Sequence, residues 1–242
     1  MDEKITTRDL ARNAGYSTYH FIRIFKDVTG ISPRHFLSAL RIEKGKQMLA
    51  DSYSPSIVKT SLETGFQSVG TFSTTFKNSV GVSPKTFLGS MNFLHSFMNT
   101  HSFQEDMEEN FIKPAVICHL EVPDQFQGIV FAGLFPEPIP ESRPVVGTAL
   151  KPATKKCIFS KVSPGIYYLL SAAISWSINP KDYFLLSKSL RGKSEHPIHV
   201  LEDSIIEVSV RLREPIPFDP PILVNLPLLL FEKETNRNPE EN

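Results

Sequence analysis

The sequence predicts a two-part chain, an all-α double helix-turn-helix domain followed by an all-β antiparallel sandwich-like domain. Three observations predict it. One motif is written twice near the N-terminus, as "GYSTYHFIRIFKDVTGISPRHFL" from Gly15 to Leu37 and "GFQSVGTFSTTFKNSVGVSPKTFL" from Gly65 to Leu88. Beyond residue 113 the helical period gives way to short β-branched and aromatic runs broken by proline, glycine and aspartate. The charge is also uneven. Lys+Arg and Asp+Glu each total 26, yet residues 1–99 hold 12 basic against 7 acidic residues and the remainder 14 against 19. Such asymmetry between halves points to a polyanionic partner for the basic half.

Taken in order, "TRDLARNA" is a short helix capped by Thr6 or Thr7 and stopped at Gly15. Ser17 caps the next, whose apolar stripe is Phe21, Ile24, Phe25 and Val28 at i, i+3, i+4 and i+7, and Gly30 ends it. Ser32-Pro33 opens a third helix running to about Ala50. The second copy repeats the plan: "PSIVKTSLET" opening at Ser54-Pro55 and ending at Gly65, then a helix capped by Ser68 with Phe72, Phe76 and Val80 on one face and Gly81 as its stop, then a helix from Pro84 to about Phe97. The offset between copies changes from 50 (Gly15 to Gly65) to 51 (Phe21 to Phe72). One residue inserted near Ser68, in the turn rather than a helix, accounts for it.

Two helices joined by a tight glycine-containing turn make a helix-turn-helix unit, and two such units suit successive major grooves about 34 Å apart on one duplex face. The Pro33 to Ala50 helix, about 26 Å long at 1.5 Å per residue, is a spacer of comparable length.

The doubled pattern of glycine, Phe-Lys (Phe25-Lys26 and Phe76-Lys77), glycine, Ser-Pro (Ser32-Pro33 and Ser83-Pro84) and Phe-Leu (Phe36-Leu37 and Phe87-Leu88) resembles the DNA-binding domain of the AraC/XylS family of bacterial transcription regulators, over about residues 5 to 92. The resemblance implies a seven-helix, two-unit domain that binds promoter DNA. In the first unit the implied DNA-facing residues are Ser17, Thr18, Tyr19, Ile22 and Arg23, with Lys26 toward phosphate. Arg23 is the strongest single candidate, because a guanidinium can bond guanine O6 and N7 together. In the second unit they are Ser68, Val69, Gly70, Thr71, Ser73 and Thr74, with Lys77 toward phosphate. Here the chain departs from the family. Thr74 stands where many members carry arginine, and Gly70 where a long polar residue is common, so the first unit is expected to supply mainly sequence reading and the second mainly position. Two further departures are the family's usual extra first helix, for which only Met1 to Ile5 remain, and Gly45 in mid-helix, costing about 1 kcal/mol unless it allows close packing. The other domain is one source of a replacement helix; a less stable first unit is the alternative.

The predicted boundaries are residues 1–98 for the helical domain, 99–112 for a linker with an acidic run at Glu105, Asp106, Glu108 and Glu109, 113–232 for the β domain and 233–242 for a disordered tail. Strand-like runs are "AVICHLEV", "GIVFAGLF", "CIFSKV", "GIYYLLSAAISW", "HPIHVL", "IIEVSVRL" and "PILVNLPLLLF". Within "IEVSVRL", Ile206, Val208, Val210 and Leu212 alternate with Glu207, Ser209 and Arg211. The stretch "CIFSKVSPGIYYLLSAA" is similar to the strand, Pro-Gly turn and Tyr-rich strand of carboxypeptidase-regulatory or transthyretin-like sandwiches over about a third of the domain.

No apolar run approaches the roughly 18 residues of a membrane span, and the N-terminus has no signal-like apolar region, so a cytoplasmic protein without membrane contact is expected. Cys118 and Cys157 are too few for a disulfide framework and read as plain thiols. His196 and His199, three apart on a strand, point to opposite faces and do not form a metal pair. No metal and no cofactor is expected. Tyr167, Tyr168 and Trp176 are read as core aromatics ahead of a ligand pocket. The leading reading is a non-enzymatic, sequence-specific regulator that binds double-stranded promoter DNA and is controlled through its C-terminal domain by a small-molecule or protein effector, with a homodimer also open to it. The alternatives are a DNA-repair or other enzyme using Cys118 and a protein-interaction module tethered to DNA.

Overall fold

The computed structural model describes residues 5–100 and 111–237. Six helices come first: α1 (Thr7–Asn13), α2 (Thr18–Thr29), α3 (Pro33–Asp51), α4 (Ile57–Glu63), α5 (Val69–Val80) and α6 (Pro84–Thr100). Each of the first five begins at a Ser or Thr whose hydroxyl accepts a main-chain N–H of the first turn: Thr6, Ser17, Ser32, Ser56 and Ser68. At Thr6 the arrangement is reciprocal, since Asp9 reaches back to the Thr6 N–H. Both dozen-residue helices stop at a glycine in the left-handed region, Gly30 at φ 84° and Gly81 at φ 95°, where a side chain would be strained. The inserted residue lies in the turn, as expected: residues 14–17 join α1 to α2 and residues 64–68 join α4 to α5.

The repeated phenylalanines are the glue of each unit. Phe21, Phe25 and Phe36 stack in the first at centroid distances of 5.7 and 5.4 Å, and Phe72, Phe76 and Phe87 in the second at 5.6 and 5.5 Å. The second set is sealed from solvent, whereas Phe21 and Phe25 are half-buried. Gly45 of α3 explains itself here. A Cβ at that position would lie 2.9 and 3.2 Å from two ring atoms of Phe72. Gly45→Ala is therefore expected to destabilise by about 1 kcal/mol despite the helix propensity it gains, because the wedged ring cannot retreat. Urea denaturation checks the sign; a gain in stability would show that the ring has room.

The β region holds β1 (Ala115–Glu121), β2 (Gly128–Phe135), β3 (Val146–Leu150), β4 (Lys156–Phe159), β5 (Gly165–Ser175), β6 (Leu190–Lys193), β7 (Ile198–Val200) and β8 (Ile205–Arg211), followed by α7 (Leu226–Arg237). The smaller sheet runs β4-β1-β8 and the larger β3-β2-β5-β6, with β7 also on β5. Val116, Cys118 and Leu120 of one sheet meet Val130, Leu134 and Leu169 of the other in a sandwich core that also takes in Val210 and Leu212.

Much of the opposite face of the larger sheet is covered by helices. Phe131, Ala149, Ala172 and Ile174 join Phe72, Phe76, Phe87 and Leu94 of the helices and Leu226 and Leu230 of α7 in one continuous apolar cluster. Three layers result: small sheet, large sheet, helices. Polar contacts reinforce this junction. Ser142 hydrogen-bonds the Asn78 and Ser79 carbonyls, Asn225 N–H donates to the Val80 carbonyl at 3.2 Å, and His35 Nε2 meets Glu141 Oε1 at 2.6 Å. The hydrogen bond to Glu141 raises the His35 pKa above its ordinary value, against an opposing effect of burial.

Several expectations are corrected. Val28 is 59% exposed; the last turn of α2 buries Thr29 instead, whose hydroxyl donates within 2.8 Å of the Phe25 carbonyl and accepts the Ile31 N–H at 3.3 Å. The fourth helix begins at Ile57, after the Ser56 cap, rather than at Ser54-Pro55. Strands β3 and β6 were not expected, since "VGTAL" and "LRGK" are short and interrupted by glycine. One pair is parallel rather than antiparallel, β1 beside β8 from Ala115↔Ile205 to Glu121↔Arg211, which makes the small sheet mixed. Alternation of side chains is the same in either direction, so the pattern carries no sign of it.

The run "PILVNLPLLLF" is not a strand, and residues 233–237, placed in a disordered tail, are helical. The second half of the run, residues 226–231, belongs with 233–237 to α7, which starts where the Asn225 side chain accepts the Leu228 N–H at 3.3 Å, while residues 221–225 are irregular. This helix packs on α6, where Phe231 meets Phe93 and Phe97 edge-on at 4.9 and 5.2 Å, and so does not substitute for a helix ahead of the first unit. Helix α6 passes the expected boundary at residue 98. The acidic run and most of the 99–112 linker lie outside the described residues, as do 238–242.

Candidate nucleic-acid interface

Both candidate recognition helices present a face away from the apolar cluster. On α2, Thr18, Tyr19, Ile22, Arg23 and Lys26 are all exposed, Tyr19 at 80%. On α5, Gly70, Thr71, Thr74 and Lys77 are exposed, while Val69 and Ser73 are half-buried. The two serines carry a local duty. Ser17 Oγ accepts the His20 N–H at 3.3 Å and Ser68 Oγ accepts the Thr71 N–H at 3.1 Å, so each hydroxyl closes its helix start. Ser68 Oγ also lies 3.0 Å from Thr71 Oγ1.

Arg23 does not stand alone. Its Nη2 lies 3.4 Å from His20 Nδ1, and the Tyr16 ring meets the His20 ring edge-on at 5.1 Å. Tyr16, His20 and Arg23 thus form a row at i, i+4 and i+7 along the exposed side of the first unit. The spacing was available in the sequence, but a half-buried histidine and an exposed tyrosine beside a glycine turn give no signal of their own. Lys26 and Lys77 occupy the last turn of their helices at equivalent places, each with its carbonyl capped by the following glycine's N–H.

Of the basic residues in the helical region, Lys46 is withdrawn from any such face. It is 2% exposed on α3, its ammonium donating to the Ile222 and Leu223 carbonyls at 3.2 and 3.3 Å, and burial lowers its pKa to about 8. The other candidates fall elsewhere. Cys118 is wholly buried in the sandwich core opposite Cys157, where the hydrogen bond its thiol donates to Cys157 and its burial both push its pKa up and keep it a thiol. His199 is exposed on β7 and His196 in the turn before it. Tyr167 is buried and donates to the Ser163 carbonyl at 3.0 Å, while Trp176 is 46% exposed. No helix of the described residues is long and apolar enough to cross a membrane.

The family model described as a helix-turn-helix domain matches residues 10–90, from within α1 to the first half of α6. Residues 10–90 are an AraC-type helix-turn-helix domain. The chain is 33% identical across 85 residues to the HTH-type transcriptional regulator ArgR of Pseudomonas aeruginosa, covering 35% of this chain and 26% of that protein. It is 32% identical across 87 residues to the right origin-binding protein of Escherichia coli, covering 36% and 30%. The chain therefore spans about a quarter to a third of the length of the curated relatives it matches. Among solved structures, an AraC-type regulator from Chromobacterium violaceum is 31% identical at a TM-score of 0.35, covering 36% of this chain and 78% of that one. The DNA-binding domain of AdpA, solved with a target DNA, is 25% identical at a TM-score of 0.36, covering 38% and 81%.

Proposed function

We propose that the protein is a cytoplasmic transcription regulator that binds promoter DNA sequence-specifically through two AraC-type units and is controlled through its β region. The observation that carries this reading is the pair of capped, dozen-residue helices whose solvent faces hold Tyr19, Ile22 and Arg23 in one unit and Thr71, Thr74 and Lys77 in the other. The division of labour follows from side-chain reach. Arg23 has a fork able to bond a guanine edge, whereas the second unit offers hydroxyls and a lysine suited to phosphate. ArgR, among the matched relatives, is named as a transcriptional regulator, which supports a non-enzymatic role. The competing enzyme reading loses its chemical support, because the Cys118 thiol is sealed and protonated.

The test is binding to DNA upstream of the protein's own and neighbouring genes, across a salt series. Arg23→Ala is expected to cost about 1–3 kcal/mol on the preferred fragment and to relax the preference. Lys77→Ala should weaken binding evenly across fragments and reduce the salt slope by about 1. Equal wild-type binding to every fragment, or binding to none, would refute sequence-specific recognition.

A further inference from the structure

A cavity of about 940 Å³ lies where the helical face of the larger sheet, α7, the 138–149 segment and the 213–220 loop converge. It sits at the upper end of the roughly 300–1,000 Å³ of small-molecule sites. Phe131, Leu170 and Ala172 line it from the sheet and Leu226, Leu229 and Leu230 from α7. Val28 and Thr29, the last turn of α2, complete the wall.

The charges around this apolar interior are unbalanced. Five cationic side chains line it, Arg143, Arg191, Lys193, Arg213 and Lys233, against two carboxylates, Asp219 and Glu232. Both carboxylates are taken: Arg213 holds Asp219 through two bonds of 2.8 Å, and Arg143 holds Glu232 at 2.6 and 2.8 Å. Arg191 is spent on main-chain carbonyls, of Leu186 at 2.8 Å and Pro220 at 3.1 Å. Lys193 pairs across from Leu170, so it shares the cavity face, and among the described residues no acceptor lies within hydrogen-bond or ion-pair distance of its ammonium. Lys193 is itself exposed to solvent beside the cavity, and its partial burial lowers its pKa; burial does the same for Lys233 on α7, whose ammonium reaches Thr148 Oγ1 at 3.2 Å. An anion is the ligand that would pair the Lys193 ammonium beside the apolar interior.

We propose that this cavity binds a small organic anion with an apolar body, its charge at Lys193 and its body against the sheet and α7, and that occupancy resets the C-terminal end of α2. The route to α2 is short. Pro138 lines the cavity and packs 2.7 Å from where a Gly30 Cβ would stand, and neighbouring Glu141 and Ser142 hold α3 and α5. One segment therefore touches the ends of both candidate recognition helices and the cavity. The regulatory consequence, a ligand-dependent setting of the two units on DNA, rests on the function proposed above; the binding itself does not.

The test uses the full chain with 8-anilino-1-naphthalenesulfonate and its uncharged analogue N-phenyl-1-naphthylamine, which share the aromatic body and differ in the sulfonate. The sulfonate is expected to bind at one saturable site about tenfold more tightly, and Lys193→Met to remove that preference while the remote surface variant Lys155→Met keeps it. Ala172→Trp, which fills the cavity, should abolish both signals. Equal binding of the two dyes, or a preference that survives Lys193→Met, overturns the assignment. Hydrogen exchange of residues 26–31 and 136–143 should slow on sulfonate binding; unchanged exchange there overturns the link to α2. A protein that binds the sulfonate through Lys193 but no DNA at any salt refutes the regulator reading and leaves the cavity assignment standing.

Discussion

Phe72→Ala is expected to cost about 3–5 kcal/mol of stability, the upper range for deleting a buried aromatic. Phe72 has no exposed surface, and its ring is held edge-on by Phe66 at 5.4 Å and tilted against Phe76 at 5.6 Å, with the bare backbone of Gly45 below it. None of these neighbours can collapse into the space: Phe76 is itself pinned by Phe87, and Phe87 by Phe184 of the β region at 5.7 Å. The cavity left behind should therefore stay open. The matching position in the first unit makes the control. Phe21 is only half-buried, so Phe21→Ala should cost about 1–2 kcal/mol. Equilibrium urea unfolding of the two variants decides the matter; equal losses would mean that the two copies of the motif bury their aromatics alike in solution.

Lys46 gives the second large effect, in the dependence of stability on pH. Its ammonium is enclosed between α3 and residues 222–223, burial lowers its pKa from 10.5 to about 8, and nearby Glu43 opposes that shift only in part. A base with a lowered folded-state pKa binds its proton more tightly in the unfolded chain. Its burial cost is then present in full below pH 8 and is relieved as pH rises from about 8 toward 10.5. Stability should climb by up to about 3 kcal/mol across that window, at no more than about 1.4 kcal/mol per pH unit. In Lys46→Met, which keeps the apolar stem, this share of the slope should vanish. Unfolding curves at closely spaced pH values from 7 to 10 measure it, and identical slopes in both proteins would show that the ammonium reaches water. Lysines 193 and 233 shift the same way and remain in the variant, so the comparison isolates Lys46.

The two predictions share a cause that the sequence does not display. Gly45 and Lys46 are adjacent on α3, one admitting Phe72 of the second unit and the other bonding the segment that leads into α7. In the sequence the first looks like a weak point in a helix and the second like one more surface lysine of a basic domain. Each is explained only by what packs against it.

What the sequence determined by itself was local. Hydroxyl caps, glycine stops and i, i+3, i+4 spacing are satisfied within one turn of helix, and alternation is satisfied within one strand, so the two helix-turn-helix units and most strands are legible from residues alone. The exposed row of Thr18, Tyr19, Ile22 and Arg23 follows from the same period, as the face opposite Phe21, Ile24 and Phe25. Tertiary structure decided everything that depends on a distant partner. The Asn225 side chain caps α7 inside an apolar run, but a short apolar run reads equally as strand, and it is Phe93 and Phe97 of α6 that give α7 a surface to pack on. The parallel β1 and β8 pairing joins residues about 90 apart in the chain, beyond the reach of any local pattern. The same holds for the cavity and its unbalanced cations, which are assembled from α2, four strands, two loops and α7; no segment that contributes to them carries a sign of the others.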